Sequence, residues 1–122
     1  IRLGARHATA MDIDPQALTA TRENARQNGV DAAIVVTGED PRASARFDVV
    51  VANILAGPLV SLAESLSMRL SSGGELALSG ILSEQVNKIQ DAYGPWISFD
   101  APAYRSQGDQ TWARLTGKPR DR

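Results

Sequence analysis

Residues 47–55, Phe-Asp-Val-Val-Val-Ala-Asn-Ile-Leu, constrain the fold of this chain more than any other stretch. Val49 to Ala52 form four consecutive apolar positions, with no polar face to turn to water. Such a run is expected of a parallel strand covered on both faces. Parallel neighbours cannot be joined by tight hairpins, so the flanking sequence must provide crossover helices.

It does. "HATAMDI" (7–13) has the composition of a short strand, closed by Asp12-Ile13-Asp14-Pro15. Asp14 is suited to cap a helix that starts at Pro15, where a missing N–H is harmless. That helix is expected to run to about Asn28. Gly29 then takes the left-handed position beyond its end, and Val30 closes against Ala25. "AAIVVTG" (32–38) is a second strand and 39–46 a polar loop. Beyond the strand at 47–55, the spacing of Leu59, Leu62, Ala63, Leu66 and Leu70 predicts a helix after Pro58, stopped by Ser71-Ser72-Gly73-Gly74. "ELALSGIL" (75–82) is a further strand. Ser83 is expected to cap a helix with Val86, Ile89 and Tyr93 on one side, ended by Gly94-Pro95. Segments 96–106 and 110–117, flanking Gln107-Gly108-Asp109, form a terminal antiparallel pair of strands. Strands alternating with helices specify an α/β, doubly wound sheet in one small domain, without repeats or an internal boundary.

Net charge is −1, so no strong field directs the chain to nucleic acid or to a membrane surface. The basic tail Lys118, Arg120, Arg122 is interleaved with Asp121 and is expected to be a solvated end. No cysteine is present, which excludes disulfides and thiolate chemistry and fits a reducing cytoplasm. With one histidine, His7, at the strand end away from the expected site, no metal constellation is evident. No apolar run approaches the roughly 20 residues that span a bilayer. The chain begins with Ile1 in place of Met, and is expected to be a piece of something longer.

In open α/β sheets ligands bind at the carboxyl ends of the strands. Those ends carry Asp12, Glu39 and Asn53. A carboxylate such as Asp12 can accept two hydrogen bonds from a ribose diol, or it can simply favour the following helix through its dipole. Glu39 could meet the exocyclic amine of a purine, or lie in water. Asn53 is expected to be a buried amide, for which an unmade hydrogen bond costs about 1–3 kcal/mol. It could hold an amino group with the help of flanking backbone carbonyls, or close a turn before Gly57-Pro58.

"MDIDPQALTATRENARQNGV", "FDVVVANILAGPL" and "GGELALSGIL" together resemble class I S-adenosylmethionine-dependent methyltransferases. Within that class the chain is most similar to the family that methylates the eleventh protein of the large ribosomal subunit, over nearly its whole length. The Asp-Ile-Asp-Pro motif is shared widely in the class; Asn-Ile-Leu-Ala-Gly-Pro and Leu-Ser-Gly-Ile-Leu are more specific. The resemblance implies a Rossmann-like sheet ending in an antiparallel hairpin, and S-adenosylmethionine as cofactor. Asp12 would bind the ribose and Ile13 would pack on the adenine; Glu39, read from its place after the second strand, and Asn53 are the further cofactor-binding candidates. Asn53, Ile54 and Leu55 would position the acceptor nitrogen, where related enzymes carry Asn-Pro-Pro and an aromatic. Lacking both prolines and the aromatic, this motif fits a flexible aliphatic amine better than a planar base. Lysine side chains and an α-amine of the ribosomal protein are the implied acceptors.

The family's glycine-rich loop, its first strand and its N-terminal substrate domain have no counterpart in residues 1–122, so a single partial catalytic domain is expected. "IRLGA" (1–5) resembles the last turn of the helix that follows that loop. Without the central first strand the chain is expected to bind cofactor weakly, to have little activity alone and to self-associate through unpaired sheet edges. Two other readings compete: half of a nicotinamide-dependent dehydrogenase, and a non-catalytic binding domain on the same fold. The upstream glycine pattern would separate the first, and Asn53-Ile54-Leu55 has no role in hydride transfer.

Overall fold

A computed structural model of the chain describes residues 6–11, 15–37 and 46–120. They fall into two compact units, residues 1–43 and 44–122.

In the first unit, strand β1 (Ala8–Met11) pairs in parallel with β2 (Ile34–Thr37), Ala8 opposite Ile34. Helix α1 (Pro15–Gln27) makes the crossover and starts on the proline, as the sequence predicts. Its end is also as expected. Gly29 has φ +70°, the Val30 N–H donates to the Ala25 carbonyl at 2.9 Å, and the Gly29 N–H to that of Arg26 at 3.1 Å. Those two bonds satisfy carbonyls that the last turn would otherwise leave open. A 3₁₀ turn at Asp31–Ala33 delays β2 by two residues relative to the predicted strand. The predicted cap, Asp14, lies outside the described residues.

The second unit is a five-stranded sheet in the order β3–β4–β7–β5, with β6 also paired to β7. Its strands are β3 (Phe47–Asn53), β4 (Leu70–Leu82), β5 (Ile97–Phe99), β6 (Ala103–Gln107) and β7 (Gln110–Pro119). β3 and β4 are parallel; β7 is antiparallel to β4, β5 and β6. The expected terminal antiparallel pair is present as the β6–β7 hairpin, which turns through Gly108 and Asp109.

The predicted strand at 96–106 is two strands, separated by Asp100-Ala101-Pro102. Pro102 has no N–H for a ladder, and Asp100 is tied to β7 instead. The Asp100 N–H donates to the Thr116 carbonyl, and the Thr116 hydroxyl to the Asp100 carboxylate.

The helix expected after Pro58 is two short helices, α2 (Ala56–Ser61) and α3 (Ala63–Met68), with a break at Leu62. α2 starts two residues before Pro58, which occupies its first turn, where no N–H is needed. Leu70 is buried as predicted, but as the first residue of β4 and not as helix. Ser71–Gly74 likewise lies within β4, as an irregularity in its pairing with β3. Phe47 pairs with Leu70, whereas Val49 pairs with Glu75. Ser71 Oγ donates to the Phe47 carbonyl at 3.1 Å and fastens that irregularity.

Ser83, expected to cap the last helix, lies in a 3₁₀ turn at Ser83–Gln85 that leads into α4 (Val86–Tyr93). There the Gln85 side chain supplies the cap, its Oε1 accepting the Leu82 N–H at 2.9 Å.

The core lies on one face of this sheet. Leu76, Leu78 and Ile81 of β4, Ala113 and Leu115 of β7 and Ile97 of β5 pack with Leu59, Ala63, Val86, Ile89 and Tyr93 of the helices. Val50 and Ala52 of β3 join them, but Val49 is 60 % and Val51 69 % exposed. β3 is thus covered on one face within its unit, not on both as its composition predicts.

A bulge in β4 fixes the site. The buried positions run 76, 78, then 81, so the alternation slips by one residue. On β7 the partners 115 and 113 keep strict alternation. One extra residue in β4, at Ser79-Gly80, is what reconciles the two.

Candidate active site

β3 ends at Asn53, two residues earlier than predicted, with Asn53 opposite Ser79 as the last pair of the parallel ladder. Ile54 and Leu55 leave the sheet, and the Leu55 carbonyl accepts the Leu59 N–H at 3.0 Å as α2 begins. The residue that could reach the Ile54 carbonyl from that first turn is Pro58, which has no N–H.

The bulge of β4 stands beside this strand end. Gly80 has φ +76°, a conformation that side chains other than glycine's rarely adopt. A Cβ built on Gly80 would overlap Asn53 Oδ1 and would lie 3.6 Å from the Ile54 carbonyl oxygen. The Asn53 carboxamide oxygen therefore occupies the space that the glycine leaves, and the Ile54 carbonyl oxygen lies at its edge.

Asn53 is exposed, which corrects its treatment as a buried amide. Among the described residues its carboxamide makes no hydrogen bond, so it is free to accept one from a ligand. Ile54 is 39 % and Leu55 75 % exposed. The structure thus brings Asn53, Ile54 and Gly80 together, with Leu55 as the next residue along. The other predicted site residues, Asp12, Ile13 and Glu39, lie outside the described residues. His7 is exposed. No group of three or more metal-ligating side chains occurs among the described residues, and no described helix is long and apolar enough to cross a membrane.

Sequence reasoning used Leu-Ser-Gly-Ile-Leu only as a signature and missed Gly80 as part of the site. A signal was present: an isolated glycine inside a strand pattern marks a bulge or a close backbone approach.

This α/β fold is shared with methyltransferases of known structure. The fold matches the N-methyltransferase NodS from Bradyrhizobium japonicum WM9 in complex with S-adenosyl-L-homocysteine. That match has TM-score 0.76 and 11 % identity over 94 % of this chain and 67 % of that one. It matches more closely the ribosomal protein L11 methylase from Lactobacillus delbrueckii subsp. bulgaricus. There the TM-score is 0.85 and the identity 31 %, over 98 % of this chain and 62 % of that one. In sequence, the ribosomal protein L11 methyltransferase of Thiobacillus denitrificans is 50 % identical over 119 residues, 98 % of this chain and 38 % of the relative. The family model "Ribosomal protein L11 methyltransferase (PrmA)" matches residues 1–120. The chain belongs to that family. It spans about two fifths of the length of the curated relatives it matches.

Proposed function

We propose that this chain is part of an S-adenosylmethionine-dependent methyltransferase that acts on amino groups of ribosomal protein L11. The observation that carries the reading is the exposed carboxamide of Asn53 at the end of β3, without a hydrogen-bond partner among the described residues, in a chain of this family. The same residue has no part in hydride transfer, which sets the dehydrogenase reading aside.

An amine attacks only as the free base, and an exposed lysine has a pKa of about 10.4. Asn53 Oδ1 and the Ile54 carbonyl present two acceptors to such an amine. Each can take one N–H, and together they aim the nitrogen lone pair away from the sheet edge. Asn53 does not titrate, so it orients the acceptor and is not its base. Burial of the amine in the assembled site favours the neutral form and supplies the nucleophile. S-adenosylmethionine, when bound, supplies the electrophilic methyl on a sulfonium. Asp12 would hold its ribose, with Ile13 against the adenine and Glu39 near the purine amine. Leu55 would offer an apolar surface to the aliphatic stem of the acceptor.

The single partial catalytic domain read from the sequence belongs to this proposal. By itself the chain is expected to bind cofactor weakly, to be a poor catalyst and to pair with another copy through open sheet edges.

The test is Asn53→Ala in the full-length protein that contains this sequence. Methyl transfer to ribosomal protein L11 is expected to fall about 10²-fold, the scale of a lost positioning contact. Thermal stability should change by no more than about 0.5 kcal/mol, because the side chain is exposed. Unchanged turnover in a folded variant would refute the assignment.

A further inference from the structure

We propose that Gly80 is a positioning residue for Asn53: the β4 bulge forms a slot, open only because residue 80 lacks a Cβ, that seats the carboxamide for the acceptor amine. The proposal rests on the methyl-transfer reading above and adds to it a residue that never touches the substrate.

Three observations support it. Gly80 sits in the extra residue pair of β4, one position beyond Ser79, which pairs with Asn53. Bulges are found next to active sites because they re-aim a neighbouring group. The atom a Cβ would meet first is Asn53 Oδ1, the acceptor itself, followed by Asn53 Cγ at 3.5 Å. Finally, the obstacle is the tip of an exposed side chain and not packed backbone. An alanine at position 80 can therefore be accommodated by swinging the carboxamide away, at the expense of orientation and not of packing.

Gly73 separates this role from backbone strain. It has almost the same φ, +77°, in the same strand, yet a Cβ there would meet nothing within 4 Å. Gly80→Ala and Gly73→Ala should thus lower the melting temperature by similar amounts. Only Gly80→Ala should reduce kcat for methyl transfer in the full-length protein, by about 10²-fold, with cofactor affinity measured by titration calorimetry unchanged. In an Asn53→Ala background, Gly80→Ala should reduce kcat by less than a further twofold, because the displaced group is already gone. An independent measurement needs no variant at residue 80. In the wild-type protein, ¹⁵N relaxation of the Asn53 side-chain amide should report an order parameter close to that of the backbone, although the residue is exposed.

Wild-type kcat in Gly80→Ala, the same loss in both backgrounds, or a freely rotating Asn53 amide would each overturn the slot. Full activity of Asn53→Ala would instead overturn the functional reading, and the relaxation measurement would then decide the slot alone.

Discussion

Gly117 lies on the central strand β7 with β5 alongside, and it leaves no room for a side chain. A Cβ there would lie 2.7 Å from Ile97 Cγ2, 2.7 Å from the Ser98 carbonyl oxygen and 3.1 Å from Phe99 Cδ1. Its obstacles are a buried side chain and strand backbone, neither able to step aside. Gly117→Ala is therefore expected to destabilise the chain by about 1–3 kcal/mol, the range for overpacking a fitted core. Urea denaturation followed by circular dichroism would measure it, and an unchanged midpoint would contradict the contact. The contrast with Gly80 is physical. Both glycines read alike in the sequence, yet one makes room for a core and the other for an exposed polar tip. Asn53 was legible as a candidate because a polar residue breaks an apolar run at a strand end. Its exposure and its glycine neighbour were not, because both depend on a strand 26 residues away.

At the scale of elements, local chemistry was legible and long-range pairing was not. The end of α1 followed from Gly29 alone, because a Schellman closure needs only neighbouring residues. The break between α2 and α3 interrupts an uninterrupted leucine pattern, and nothing local marks Leu62. Leu70 fitted a helical stripe and a strand equally well, and pairing with Phe47 decided it. Tyr93 shows what docks α4 on α2. Its buried hydroxyl donates to the Leu59 carbonyl at 2.7 Å, and its ring meets Phe99 edge-on at 6.3 Å. Tyr93→Phe leaves that carbonyl without its donor and should cost about 1–2 kcal/mol at neutral pH. Burial also pushes the Tyr93 hydroxyl up to about 12. The folded chain then keeps a proton that the unfolded chain loses near pH 10, so this contribution is intact below about 10. It is lost progressively as the pH rises toward 12. Denaturation of wild type and Tyr93→Phe from pH 9 to 12 should show the wild-type advantage shrinking; a constant gap would exclude the linkage.

At the scale of the molecule, the described residues form two sheets, one of two strands and one of five. Among the described residues, β3 pairs with β4 and β1 with β2. Seven residues of strand whose second edge has no strand partner among the described residues form a template for pairing with another chain. The exposed valines at 49 and 51 add apolar area to that template, so both hydrogen bonding and burial favour contact between copies. Sedimentation velocity on this chain should accordingly show mass rising with concentration. Natural edge strands avoid such pairing with a charge, commonly lysine. Val51→Lys places one where the side chain already meets water, so it should leave the fold intact and return the chain toward the monomer. A wild-type chain that stays monomeric at all concentrations would contradict pairing through β3. Faster association of Val51→Lys than of wild type would place the contact on another surface.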